Sequence, residues 1–143
     1  MKKILPVIAI FVVFYIAWSQ FDRPKDSTSL TGQNDTIFAN SFEEGKSGVQ
    51  VEGSGTVIKI LSDDNDGSRH QRFILRLDSG QTLLITHNID LAPRLSSLTE
   101  GDAVAFNGVY EWNSKGGVIH WTHHDPNGRH LAGWLLHNGQ TYQ

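Results

Sequence analysis

Four of the chain's seven histidines fall between Val118 and His130, in the run VIHWTHHDPNGRH, beside one of its four tryptophans. Imidazole changes charge nearer neutral pH than any other unperturbed side chain, and it is the commonest metal ligand. The run therefore carries the residue types for three kinds of chemistry: holding a divalent transition metal, binding a small anion, or moving a proton. A His- and Trp-rich tail that only packs over the rest of the domain is the structural alternative.

Strand geometry limits which of these histidines can meet. Consecutive residues of a strand point to opposite faces. If Gly117 to His124 is extended, His120, Thr122 and His124 share one face, and Ile119, Trp121 and His123 the other. His120 and His124 then lie roughly 13 Å apart, too far to chelate one ion whose bonds to nitrogen are about 2 Å. Asp125-Pro126-Asn127-Gly128 suits a type I turn, with Pro second and Gly fourth. A tight hairpin there sets His123 opposite His130 and His124 opposite Arg129, at Cβ separations of about 5 Å. His70, His87 and His120 are the candidates to complete a site, with zinc or another divalent transition metal as the fitting ion. Asp125 is a candidate ligand or orienting group. For proton transfer the candidates are His123, His124, His130 and Asp125.

Other features point elsewhere or nowhere. Arg72 and Arg76 share one face of an alternating strand, and Trp112 and Trp121 offer flat faces, a combination suited to an anionic or ring-bearing ligand. Asp63, Asp64, Asp66 and Gly67 fail the EF-hand pattern, because Phe73 stands where its final glutamate belongs. The chain has no GxSxG elbow, P-loop or dinucleotide fingerprint.

The elements that must position these residues are mainly β. Val49 to Ile60 reads as one long strand interrupted by Gly53 and Gly55, His70 to Leu77 as a second, and Gln81 to Ile89 as a third. Asp90 then caps a predicted short helix carrying Leu91, Leu95 and Leu98. Ala103 to Trp112 and Gly117 to His124 are the fourth and fifth strands. Three strands, a helix and two strands, with the first strand long and bent, predict a five-stranded OB-like Greek-key barrel. An up-and-down or SH3-like barrel is the alternative.

Lys2 and Lys3 precede an apolar run from Ile4 to Trp18. Residues 1–20 thus read as a signal peptide or an N-terminal membrane anchor, and both place the remainder outside the cytoplasm, in the periplasm or facing it. Residues 21–47 read as a polar linker with a short helix capped by Asp35 and faced by Ile37, Phe38 and Phe42. Residues 48–143 read as the barrel with its His-rich tail. The chain has no cysteine, so neither disulfides nor thiolate sites are available. Without Lys2 and Lys3, 10 basic residues stand against 15 acidic ones. That balance disfavours a broad nucleic-acid footprint.

The segments HQRF from His70, HNIDLA from His87, YEWN from Tyr110 and HWTHHDPNGRH from His120, followed by Gly133-Trp134 and Tyr142-Gln143, resemble a family of short exported bacterial proteins known only as a domain of unknown function. The resemblance spans Gly48 to Gln143; it implies export and supplies no mechanism. The expectation from the residues is an OB-like domain that binds a metal ion or small anionic ligand through a histidine cluster. A metal-dependent phosphodiesterase or nuclease is one alternative. An envelope-protein interaction module with a structural histidine cluster is the other.

Overall fold

The computed structural model describes the chain from Ser27 to Gln143, so the predicted leader, residues 1–20, lies outside the described residues. One helix, α1 (Ser27–Glu43), precedes seven strands: β1 (Val49–Ile60), β2 (His70–Arg76), β3 (Thr82–Asn88), β4 (Ala103–Glu111), β5 (Val118–His120), β6 (Trp134–His137) and β7 (Gln140–Tyr142). Among the described residues, no helix is long and apolar enough to cross a membrane.

The first five strands close on themselves in the order β1-β2-β3-β5-β4, with β4 returning to β1. All neighbours are antiparallel except β3 and β5, which run parallel with Ile85 beside Ile119. This is the expected OB-like Greek-key barrel. Strand alternation builds its interior: Phe73 and Leu75 from β2, Leu83 and Ile85 from β3, and Val104, Phe106 and Tyr110 from β4 are all buried. The outward residues of the same strands, among them His70, Arg72, Thr86 and Asn88, stay partly open.

β1 is long enough to pair with β4 along Val49–Thr56 and with β2 from Thr56 onward. Its irregularity lies between Val57 and Lys59 rather than at the glycines. Gly53 has another role: a Cβ there would stand 2.9 Å from the Phe38 ring. The missing side chain lets α1 lower Phe38 into the barrel end, against Phe106 at 5.7 Å and Tyr110 at 6.3 Å between ring centroids. The helix predicted from Asp35 thus exists but begins earlier, at Ser27. It ends in a Schellman motif, with Lys46 N–H donating to the Ser41 carbonyl, Gly45 N–H to the Phe42 carbonyl, and Gly45 at φ 62°.

The helix predicted after β3 is absent; Ile89 to Asp102 is a series of turns. Pro93 biases Ala92 away from helical angles. The buried Gln71 amide takes both backbone groups of Leu95, accepting its N–H at 2.9 Å and donating to its carbonyl at 3.0 Å. α1 is therefore the barrel's one helix among the described residues.

Trp112 fastens α1 to the barrel. Its indole N–H donates to the Phe42 carbonyl at 3.0 Å, its ring stacks on Phe42, and its backbone N–H donates to Ser47. Trp112→Phe keeps an aromatic partner and removes the indole hydrogen bond. It should cost about 1 kcal/mol in urea unfolding. The β6–β7 hairpin is fastened at its own tip, where His137 Nε2–H donates to Asp102 at 2.7 Å.

Candidate functional site

The histidines gather at one corner of the barrel. His70 opens β2 and pairs with Asn88, the last residue of β3. Thr86 pairs with Arg72 on one side and lies beside the end of β5, where its hydroxyl donates to the Ile119 carbonyl at 3.3 Å. β5 stops at His120, and Trp121 turns the chain away from β4 with φ at 55°. A bulky residue seldom holds a positive φ. The turn brings the indole among three imidazoles: His123 at 5.6 Å, His120 at 6.1 Å, and His130 stacked at 3.8 Å with 20° between planes. A cleft of about 310 Å³ opens here, lined by His70, His120, His123 and Trp121; Ser68, Thr86 and Asn88 add polar groups, and Leu91 an apolar rim.

Each cleft imidazole has one nitrogen fixed by an acceptor. His70 Nδ1–H donates to the Ser68 carbonyl at 2.8 Å, and His123 Nδ1–H to the His124 carbonyl at 2.6 Å. His120 Nε2–H donates to the Glu111 carboxylate at 3.3 Å. Carbonyls and carboxylates only accept, so these contacts set the tautomers. The remaining nitrogens, Nε2 of His70 and His123 and Nδ1 of His120, make no hydrogen bond among the described residues.

No carboxylate lines the cleft among the described residues. The nearby acids are engaged. Asp90 accepts from the Arg69 backbone N–H at 2.8 Å and its guanidinium at 2.7 Å, which hold its carboxyl below the ordinary range. Glu111 faces His120. Asp125 is the hub of its own loop: its carboxylate accepts from the backbone N–H groups of Asn127, Arg129 and His130, and these contacts, Asn127 foremost, depress its pKa. Its oxygens order the loop.

His87 is buried beneath the cleft, with both ring nitrogens engaged. Nε2–H donates to the Pro93 carbonyl at 3.0 Å, and Nδ1 accepts from the Thr122 hydroxyl at 2.8 Å. That leaves no lone pair for a metal. Burial is the main cause that lowers its pKa to about 4; the nearby His123 and His70 add to the shift, and the Pro93 hydrogen bond opposes it.

The structure redistributes the other expected site residues. β5 ends before Thr122, so the alternation expected through His124 does not occur. The Asp125–Gly128 turn forms, with Gly128 N–H donating to the Asp125 carbonyl at 3.0 Å, yet no ladder follows it. His130 therefore lies on Trp121 instead of opposite His123, and His124 is exposed. Arg72 does not line the cleft; its Nε–H donates to the Ser62 carbonyl at 2.9 Å. Arg76 sits at the other end of β2, roughly 20 Å from His70 at about 3.3 Å per residue. Trp112 belongs to the α1 contact. Among the described residues, no group of three His, Asp or Glu side chains stands in metal-holding geometry.

Sequence reasoning missed Ser68, Thr86, Asn88 and Leu91. The signal for Asn88 was present in the strand register, because a hairpin centred on Asp78–Gly80 sets it against His70.

Residues 24–143 match the family described as Protein of unknown function (DUF3465). No curated protein matches the chain.

Proposed function

The chain belongs to the DUF3465 family, and we propose, from the geometry of its own cleft, that it is a binding module for a small anionic ligand. The observation that carries this reading is the lining itself. Three oriented imidazoles, one opening β2 and two from the end of β5 and the loop after it, meet in one cleft with hydroxyl and amide groups and without a carboxylate. Asn88 Oδ1 already accepts from the Asp90 and Leu91 backbone N–H groups, so its amide NH₂ is the part free to donate to a ligand. Protonation of an imidazole turns its free nitrogen into a charged donor, suited to a phosphate or carboxylate oxygen. The apolar leader of the sequence supports an extracytoplasmic setting for this binding.

One observation favours a second reading. An imidazole whose far nitrogen is fixed by a carbonyl or carboxylate is also the arrangement of a metal ligand. Zinc held by His70, His120 and His123 would require those side chains to draw together.

The sign of the pH dependence separates the two. Anion binding takes up protons, so it tightens on acidification by up to about tenfold per pH unit for each proton taken up. Metal binding releases protons and weakens. The test is a titration of the full-length chain with sulfate, whose charge is the same at pH 8 and pH 6, followed by histidine ring resonances at both. The expected result is movement of the His70, His120 and His123 signals at lower sulfate concentration at pH 6, lost in His70→Ala/His123→Ala. Unmoved signals at both pH values would sink the anion reading. A zinc titration with the opposite pH trend would replace it with the metal one.

A further inference from the structure

We infer that the cleft takes a nucleotide, a planar heteroaromatic ring joined to a phosphate, with the ring against Trp121 and the phosphate among the imidazoles. The inference rests on the anion reading above and adds the body of the ligand to its charged head. A bare anion would fill little of a cleft of about 310 Å³, a volume at the low end of those that enclose whole small organic ligands. It would also leave two apolar groups uncovered, the Trp121 indole and Leu91, which is 46% exposed on the rim.

The tryptophan is built as a wall. Its backbone is held at φ 55°, a conformation that a flexible surface aromatic has no reason to keep. His130 stacks on it at 3.8 Å and is not part of the cleft lining, so it braces the indole from outside. Asp125 in turn fixes His130 through its backbone N–H. The wall and the anion-binding nitrogens thus share one cleft, with His120 and His123 each about 6 Å from the indole between ring centroids. Stacking tolerates any base, because every base has a π face.

The same chemistry occurs in a free nucleotide and in a nucleic-acid strand. From Ser27 onward the chain has 13 acidic residues against eight basic ones. That charge opposes a strand running beyond the cleft, so the free nucleotide is the expected form.

The test is calorimetric titration of the full-length chain with inorganic phosphate, ribose 5-phosphate, AMP and hexa-adenylate at pH 6. The expected result is AMP binding about tenfold tighter than ribose 5-phosphate, as one stacked base provides. Trp121→Leu should bring the two close to equal. His130 is an exposed positioning residue, so His130→Ala tests the brace without threatening the fold; it should lower the AMP preference at least twofold and leave ribose 5-phosphate unchanged. Equal affinity for AMP and hexa-adenylate supports the free nucleotide, and a tighter hexamer supports a strand; both retain the base-and-phosphate site. AMP no tighter than ribose 5-phosphate in the wild type overturns the inference while the anion reading stands. So does a preference untouched by both variants. Failure of all four probes overturns the anion reading itself.

Discussion

Unfolding titrations in urea from pH 7 to pH 4 should lose about 3 kcal/mol of stability through His87 alone. The folded protein keeps this imidazole neutral down to about pH 4, against an ordinary value of 6.5, chiefly because burial penalises its charged form. The unfolded chain binds the proton from about pH 6.5 downward. Between the two values the unfolded state holds more protons, so stability falls as pH falls. The loss is complete below about pH 4, where both states are protonated. A difference of about 2.5 pKa units at 1.36 kcal/mol each gives the magnitude. Asp90, Asp102 and Asp125, whose carboxyl pKa values are depressed in the fold, act in a separate window: their contributions fade below the ordinary carboxylate value of 3.8. His87→Gln removes the titrating group. The loss of stability between pH 7 and pH 4 should be smaller in the variant by the stated amount; equal losses in the two proteins would refute the assignment.

Gly133→Ala should cost at least about 3 kcal/mol and abolish the anion binding proposed above. Gly133 N–H donates to the His123 carbonyl at 3.0 Å, tying the end of the histidine loop to its start. A Cβ at this position would overlap the Trp121 carbonyl oxygen, lie 2.6 Å from the Asn107 carbonyl oxygen and 2.9 Å from the Thr122 Cα. All three are backbone atoms, which cannot swing aside as a side chain would. Relief requires moving the Trp121–His123 backbone, and with it one wall of the cleft. Thermal or urea unfolding reads the first effect, and the sulfate titration reads the second in whatever fraction remains folded. Gly128, also in this loop, has nothing within 4 Å of an added Cβ. A Gly133→Ala protein as stable as wild type would mean that the two backbone segments are not held this close in solution.

The barrel was legible because strand patterning writes the core directly. Phe73, Leu75 and Leu77 alternate with Arg72, Ile74 and Arg76, and the structure buries the first set. The helix after β3 was misread because Leu91, Leu95 and Leu98 have helical spacing, whereas what decides that segment is remote in sequence. The Gln71 amide captures Leu95 from 24 positions away. The His-rich run was legible as a site by composition only. Its internal geometry depended on Trp121 adopting a positive φ, which alternation rules do not anticipate. His87 shows the opposite limit: its residue type suggested a ligand, and only the positions of Pro93 and Thr122 reveal that both nitrogens are already used.

β5 and β6 occupy successive stretches of one edge of β4. His120 pairs with Val109 and Trp134 with Asn107, so the loop of residues 121–133 leaves and rejoins the ladder within two residues of β4. The span between its ends is roughly 7 Å at about 3.3 Å per residue. The ladder along β4 is in effect a single strand broken open to receive an insert. The insert can change in length at an entropic cost that grows only slowly with length. It carries only one wall of the cleft, Trp121 and His123, while His70, Thr86, Asn88 and His120 stay with the barrel. A different insert would therefore change that wall and leave the opposite one in place.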